Sequence, residues 1–477
     1  MAKKTFIQGA AILGMAGIIV KILGAFFRIP LGNMIGDQGI AYYQAVYPIY
    51  NIFLAISTAG IPVAISKMVS ERNALGRYYD GYRVFKVSFF LMFAIGTTSF
   101  LLCFLGAEAY FTACMIPEAQ YAMRALAPAL LLVPIMASFR GYFQGNQNMK
   151  PTAVSQVIEQ FFRVSVGLTL TYLFLSKGLE YAAAGAAFGA TAGSIGGIAV
   201  VILIFFVSKK QYKRNIQRSK GSSEESVRYI LGRIIVFAVP ITLGAAIMPI
   251  MNAIDVPIVM SRLQGPAGFS AEEAKALYGQ LSGFSGSLIN FPQVLTQAIA
   301  MSLVPVVAEM CKLGKTHELR ENIHTGYRMA VAVGLPCSVG LMVLAEPIML
   351  LLFPLQKASA VGAAQCLTIM AFGVIFLSSV QTLTGVLQGI GRQLVPVINM
   401  CFGAAAKIAL TYWLTGIPEI NVKGAAIGTV AAYIIASILN LRAVKKYTGT
   451  QFDLGLVYVK PGISAVVKVC VAAPPVA

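Results

Sequence analysis

The sequence predicts an all-α protein that crosses a membrane many times, from its composition, its long apolar segments and the placement of its basic residues. Hydrophobic residues make up 57% of the 477 residues, charged residues only 12%, and the mean hydropathy is +0.76. About a quarter of the residues in an ordinary soluble domain are charged, so a soluble protein of this length could not cover its surface with so few. The composition therefore excludes a soluble enzyme, a disordered chain and a fibrous protein.

Apolar segments of about 20 residues, enough to cross the hydrocarbon core as helices, recur along the whole chain. We place twelve of them near 6–29, 41–66, 84–106, 120–144, 152–176, 182–207, 229–261, 277–308, 325–351, 361–387, 394–416 and 423–444. A thirteenth apolar segment begins near Pro461 and is still short at Ala477, which predicts a truncated span. The first segment is too long for a signal peptide and lacks a small-residue cleavage site, so we expect it to remain as a membrane helix.

Basic residues are in excess, with 37 Lys and Arg against 18 Asp and Glu and a formal net charge of +19. In a soluble protein this excess would indicate nucleic-acid binding. Here most of the basic residues lie at alternate span ends and loops, above all in the run from Lys209 to Lys220. Cytoplasmic loops of membrane proteins carry such an excess. We therefore predict a multi-pass protein of the cell inner (plasma) membrane with a cytoplasmic N-terminus and no nucleic-acid partner.

The chain also repeats itself at an offset of about 244 residues. Four short motifs return in the same order: Pro62-Val63 as Pro305-Val306, GYRV at 81–84 as GYRM at 326–329, G-x-x-Q-G at 141–145 again at 385–389, and GAAFG at 185–189 as GAAIG at 424–428. Because an even number of spans separates equivalent points, the two copies face the same way across the membrane. This pattern predicts two parallel six-helix lobes related by a pseudo-twofold axis along the membrane normal.

The domain organisation follows from the repeat. We predict an N-terminal lobe over 1–207, a basic cytoplasmic linker over 208–228, a C-terminal lobe over 229–446, and the truncated start of extra C-terminal helices over 447–477. Two-lobed membrane proteins of this kind hold a substrate between the lobes and expose it to each side in turn. We expect the chain to act as a monomer.

Charged side chains inside a span are costly, so each is a candidate functional residue. The first span carries Lys21 and Arg28, which lie two turns apart on one helix face. The fifth span carries Glu159 and Arg163, which can pair at this i,i+4 spacing. Lys407 stands at the position of the second lobe that matches Arg163. We interpret the four cations as lining a polar cavity, with Glu159 as a charge partner; the alternative is that they snorkel or pair structurally.

Asp255 is the carboxylate of the seventh span, and two roles are open for it. It can pair with a cation from the other lobe, or it can bind Na⁺ or a proton as a coupling ion. Two acidic pairs, Glu224-Glu225 and Glu272-Glu273, lie in polar stretches and are expected to be solvated.

No catalytic or metal-binding motif is found. The sequence contains no P-loop, no H-E-x-x-H and no G-x-S-x-G. Its seven cysteines are scattered without the spacing of a zinc site. We therefore predict a protein that is not an enzyme, with no catalytic residues, no cofactor and no metal site.

Three segments carry a resemblance to a known family: KILGAFFRIPLGNMIGDQGI at 21–40, YPIYNIFLAISTAGIPVAISKMVSE at 47–71, and FRGYFQGNQNMKPTAVSQVIEQ at 139–160. They resemble the MurJ-type lipid II flippases and their sporulation relatives, a polysaccharide-biosynthesis branch of the multidrug/oligosaccharidyl-lipid/polysaccharide (MOP) exporter superfamily. The resemblance covers nearly the whole chain.

The resemblance implies a flippase that moves an undecaprenyl-diphosphate-linked sugar, above all lipid II, from the inner to the outer leaflet. It implies that Lys21 and Arg28 match essential cations of the family, and that a coupling-cation site of some relatives maps near Asp255 and Asn399. The family usually has fourteen spans, and Ser287 stands where it carries a further cation. Membrane lipids and cell-wall synthesis proteins are the other implied partners.

Three other functions remain open at this point. A flippase for another lipid-linked oligosaccharide would use the same cations. A drug/cation antiporter would need acidic residues in its cavity, whereas the candidates here are mainly basic. A membrane glycosyltransferase or ligase would need a catalytic carboxylate or base near a large outer loop, and the outer loops are short.

Overall fold

The computed structural model describes residues 2–219, 225–452 and 455, and these residues form helices and short connections without a strand. The all-α prediction is therefore confirmed for this part of the chain. The helices are α1 Ala2–Thr58, α2 Ile61–Ala74, α3 Tyr78–Ala113, α4 Ala119–Gly145, α5 Lys150–Phe174, α6 Leu179–Arg218, α7 Val227–Gln264, α8 Ala271–Gly279, α9 Gly286–Lys312, α10 Thr316–Val343, α11 Ala345–Leu352, α12 Lys357–Gly389, α13 Leu394–Thr415 and α14 Lys423–Thr448.

Ten helical stretches in the described residues are long and apolar enough to cross a membrane, compared with twelve predicted spans. The first two predicted spans fall into one stretch, because two helices follow each other directly on either side of the non-helical Gly36. The chain changes direction there at Gly36, whose φ of 64° favours glycine. The fifth predicted span exists as α5 with 25 residues, but its polar residues, Glu159 and Arg163 among them, lower its hydropathy.

Two further spans are interrupted. The eighth consists of α8 and α9 joined by a π-helical segment over Gln280–Ser285. Such segments are rare and often lie at functional positions. The ninth ends at Val343, and the chain begins the short helix α11 after Leu344.

The region predicted as a linker over 208–228 is shorter than expected. Helix α6 continues to Arg218 and α7 begins at Val227. The predicted thirteenth span near Pro461 lies outside the described residues.

The chain divides into two compact units: Met1–Ile35 with Tyr42–Ala253, and Gly36–Ala41 with Ile254–Ala477. This division falls within α7, later than the lobe boundary predicted at 229. The first part of α7 belongs to the first unit because it packs on α2. A methyl group on Gly60 would lie 2.3 Å from the Ala238 carbonyl oxygen, and Arg233 pairs with Glu71 at 3.5 Å.

The same close helix packing is found within each of the two units. A methyl group on Gly189 of α6 would lie 2.5 Å from the Arg163 carbonyl oxygen, and one on Gly428 of α14 would lie 3.0 Å from that of Lys407. Likewise Gly185 approaches Leu170 and Thr171 as Gly424 approaches Leu414 and Thr415. These matched contacts support the predicted duplication, whose twofold axis stays a prediction.

One predicted repeat match is out of register. Gly141 approaches the carbonyl oxygen of Pro62, whereas its counterpart Gly385 approaches that of Ala300. The structural counterpart of Pro62 is therefore Ala300 and not Pro305. The dipeptide Pro-Val is short enough to recur at a nearby but non-equivalent position.

Candidate functional site

Helix α5 holds Glu159 and Arg163 close to the backbone of α6. Methyl groups on Gly193 and Gly189 of α6 would lie only 2.4 and 2.5 Å from the Glu159 and Arg163 carbonyl oxygens. Contacts this short are possible only without a Cβ atom, so the glycine ridge sets the depth and direction of α5. The glycines of α6 therefore set the position of the α5 backbone that carries Glu159 and Arg163.

The carboxylate of Glu159 is shared by two arginines. Arg140 of α4 donates from Nη2 to Glu159 Oε2 at 2.9 Å and from Nε to Ser155 Oγ at 2.9 Å. Arg163 Nη2 lies 3.9 Å from Glu159 Oε1, beyond hydrogen-bond distance. The i,i+4 pairing predicted from the sequence is therefore the weaker of the two contacts. Sequence spacing could not reveal Arg140, because it comes from another helix.

Three tyrosines of α1 lie beside this charged group. Tyr43 donates to the hydroxyl oxygen of Tyr47 at 2.7 Å, and the rings of Tyr47 and Tyr50 are 5.9 Å apart. Arg163 lies close enough to Tyr50 and Tyr47 for its charge to act on both hydroxyls. The sequence analysis missed these residues, although their i, i+4, i+7 spacing in YYQAVYPIY marks one helix face.

Arg28 of α1 is half-buried and interacts with the Tyr43 hydroxyl, as Arg163 does. The neighbouring Phe27 is 3% exposed and packs against Gly167 of α5. The structure thus brings both Arg28 and Arg163 near one tyrosine. Lys21, two turns earlier on α1, is exposed and lies apart from this group.

The predicted cavity cation Lys407 is instead closed into an ion pair. Its Nζ donates to Asp255 Oδ2 at 2.6 Å, and its side chain is 4% exposed. A buried ammonium in a low dielectric is stable only with such a partner, which explains why Lys407 does not line an open surface. The partner comes from α7, so a spacing argument along α13 could not predict it.

Asp255 and Asn399, the residues considered for a coupling cation, bond to different partners. Asn399 donates to Asn440 Oδ1 at 2.8 Å, and Asn440 lies 3.5 Å from Thr384 Oγ1. Within the described residues, no group of three or more His, Cys, Asp or Glu side chains could hold a metal ion. Asp255 bonds instead to the Lys407 ammonium through its Oδ2 atom.

Glu225, expected to be solvated, is mostly buried. It bonds to Arg72 and to Arg77, the latter at 3.4 Å, and its side chain is 16% exposed. The prediction was wrong because Arg72, in the last turn of α2, and Arg77, just before α3, both reach Glu225 just before α7. Glu225 is far from both arginines in the sequence, so a local sequence pattern could not predict these ion pairs.

The charged group in the first unit is suited to holding an anion. Arg140 and Arg163 share the one carboxylate of Glu159, and Arg28 adds a further positive charge near Tyr43. A lipid diphosphate carries about two negative charges, which cations within membrane helices can neutralise. Planar guanidinium groups are well matched to phosphate oxygens because they offer two parallel donors.

Comparison with known families agrees with this fold. The polysaccharide biosynthesis protein family matches residues 6–311, and the MatE family matches residues 280–413. The first match alone covers more than half of the chain.

Curated relatives from Bacillus subtilis (strain 168) align over most of the chain. The uncharacterized membrane protein YabM is 32% identical over 443 residues, covering 92% of this chain and 80% of the relative. Stage V sporulation protein B is 28% identical over 450 residues, with 94% and 85% covered. The lipid II flippase MurJ is 27% identical over 460 residues, with 94% and 84% covered.

Two solved structures share the fold. An inward-facing multidrug resistance MATE family transporter of the MOP superfamily has a TM-score of 0.77 at 15% identity, covering 93% of this chain and 98% of that one. The lipid II flippase MurJ in an inward closed conformation has a TM-score of 0.67 at 14% identity, covering 96% and 91%. Together with the family matches, these similarities show that the chain belongs to the polysaccharide biosynthesis protein family, within the MOP superfamily of membrane transporters and flippases.

Proposed function

We propose that this protein is a flippase that moves an undecaprenyl-diphosphate-linked cell-wall precursor, foremost lipid II, from the inner to the outer leaflet by alternating access. The observation that carries the proposal is the arginine group around Glu159 and Tyr43, which combines excess positive charge with hydroxyl donors inside apolar helices. Arg28 and Arg163 contact the diphosphate, and Lys21 attracts it from the exposed face of α1.

The membrane potential is a sufficient source of energy in this scheme. An inside-negative potential favours outward movement of an anion by about 2.3 kcal/mol per charge per 100 mV. Lys407 serves as the built-in counter-ion of Asp255, so no free Na⁺ or H⁺ is needed at that carboxylate. The protein acts in the plasma membrane with a cytoplasmic N-terminus, without a chemical step, as a monomer beside cell-wall synthesis proteins.

A flippase for another lipid-linked oligosaccharide is the second candidate. The match to the polysaccharide biosynthesis protein family favours it, because the same arginines would hold any lipid-linked diphosphate. A drug/cation antiporter is less compatible, since an organic cation would be repelled by this group. A glycosyltransferase or ligase would not belong with the transporters to which the chain is similar.

Complementation tests the proposal. A strain depleted of its lipid II flippase receives the wild-type gene, Arg28→Ala, or the control Arg124→Gln, whose exposed partner is Glu108. We expect the wild type and the control to restore growth and outer-leaflet lipid II at matched membrane levels, and Arg28→Ala to restore neither. Absence of outer-leaflet lipid II with abundant wild-type protein would contradict lipid II as the substrate.

A further inference from the structure

Resting on the proposed function, we infer that Arg140 is a positioning residue that keeps the charge of Arg163 available to the substrate diphosphate. It does so by holding the carboxylate of Glu159, which would otherwise neutralise Arg163. Neither the sequence pattern nor the comparisons assign Arg140 a role.

The first support is the geometry of the shared carboxylate. Arg140 bonds to Glu159 at 2.9 Å, whereas Arg163 stays 3.9 Å away. Arg140 is itself anchored by Ser155, whose hydroxyl donates to the Thr152 carbonyl oxygen at 2.9 Å. Glu159 is thus drawn toward α4 and away from Arg163.

The second support is the state of Arg163. Its side chain is 23% exposed, more than those of Arg140 at 14% and Glu159 at 17%. Its Nε is buried and has no hydrogen-bond partner among the described residues. A partly exposed guanidinium in this state can donate to a phosphate oxygen without first breaking a strong ion pair.

The second unit of the same chain supplies an internal comparison. Lys407 matches Arg163 there, and Thr384, one residue before the matched Gly385, stands in place of Arg140. No second cation competes for the carboxylate of Asp255 among the described contacts, and the pair closes to 2.6 Å with Lys407 4% exposed. In the second unit, where Thr384 stands in place of Arg140, the matched cation is therefore closed into an ion pair with a carboxylate from α7.

The Tyr50 hydroxyl is another polar group near Arg163. A neutral phenol beside Arg163 leaves the charge of the guanidinium available, unlike a closely paired carboxylate.

The test measures the apparent KM and maximal rate of flipping of a diphosphate-linked polyprenyl sugar in proteoliposomes containing the full chain. Arg140→Gln should raise KM at least about tenfold, because Glu159 then pairs with Arg163. Glu159→Gln removes the competitor and should lower KM about threefold. The double variant Arg140→Gln/Glu159→Gln should behave as Glu159→Gln alone, because Arg140 acts only through that carboxylate.

Controls separate this role from a structural one. Arg124→Gln removes another Arg–Glu pair at 2.9 Å and should leave KM unchanged. Arg140→Lys, which keeps the charge beside Glu159, should keep KM within about threefold of the wild type. A purely structural Arg140 predicts that the double variant is at least as impaired as Arg140→Gln.

Two outcomes distinguish the inference from the proposed function. If the wild type flips the lipid and the double variant keeps a KM at least about tenfold above Glu159→Gln, the role of Arg140 is overturned while the function stands. If Arg140→Gln does not accumulate, the same comparison of the double variant with Glu159→Gln decides the matter. If the wild type does not flip the lipid, the proposed function itself fails.

Discussion

The Lys407 ammonium lies 2.6 Å from the Asp255 carboxylate, and this ion pair joins α13 to α7 within the second unit. Tyr433 of α14 lies close enough to interact with the same carboxylate. The pair places a cation of the protein itself beside this carboxylate. The Asp255 side chain is 21% exposed and that of Lys407 is 4% exposed. Substitution of either residue therefore tests the pair.

Transport should not depend on Na⁺ in the wild type, because the Lys407 ammonium occupies the carboxylate. Lys407→Met should make flipping dependent on Na⁺ or on low pH, since Asp255 then lacks a counter-ion. The measurement is the flipping rate in media with Na⁺ or with choline, at two pH values. Wild-type transport that requires Na⁺ and loses this requirement in Asp255→Asn would restore Asp255 as a coupling-ion ligand.

Asp255→Asn should lower stability by about 3 kcal/mol, because it leaves a buried ammonium without its partner. The double variant Asp255→Asn/Lys407→Met should recover most of the loss, since the uncompensated charge is removed. Thermal unfolding in detergent measures both effects. A double variant no more stable than Asp255→Asn would argue against the pair as the source of the loss.

Gly193→Leu should destabilise the first unit by at least about 1–3 kcal/mol, because overpacking against a backbone forces it to move. A methyl group at Gly193 would already lie 2.4 Å from the Glu159 carbonyl oxygen. Gly106→Leu in α3 is the control, since nothing lies within 4 Å of a methyl group there. Equal unfolding temperatures for the two variants would contradict the close approach of α5 and α6.

The class of fold was predictable because composition and long apolar segments report membrane helices directly. The cations Arg28 and Arg163 were predictable for a similar reason, as charges within such segments are rare and stand out. The neighbours of the charged residues were not predictable. Arg140 and Tyr50 lie on other helices than Arg163, and Asp255 is far from Lys407 in the sequence. Which side chains pair with each other depends on how the helices pack. The sequence therefore predicted which membrane residues are charged, but not which of them form close ion pairs.

Glu225→Gln should destabilise the protein by about 3 kcal/mol, because Arg72, whose side chain is 6% exposed, loses its partner. Glu318→Gln is the matched control, since its ion pair with Lys315 is about half exposed and such pairs contribute at most about 1 kcal/mol. Unfolding in detergent at low salt measures the difference. Similar losses in the two variants would mean that Glu225 is solvated as the sequence first suggested.

Arg28→Lys should recover only part of the flipping lost in Arg28→Ala, because charge returns without the two-donor geometry. Lys21→Arg should be tolerated, since an exposed cation attracts the diphosphate with either head group. Flipping rates at matched membrane levels check all three variants. Near-normal activity in Arg28→Ala would remove Arg28 from the site.

The most direct test of the central claim is flipping of lipid II by the purified protein in proteoliposomes, measured as its arrival in the opposite leaflet. The arginine group around Tyr43 predicts that the wild type accelerates this movement well above protein-free liposomes. It also predicts that Arg28→Ala and Arg163→Ala fall to the protein-free rate, while Arg124→Gln stays at the wild-type rate. A wild-type rate equal to that of protein-free liposomes, or full activity in both alanine variants, would contradict the account.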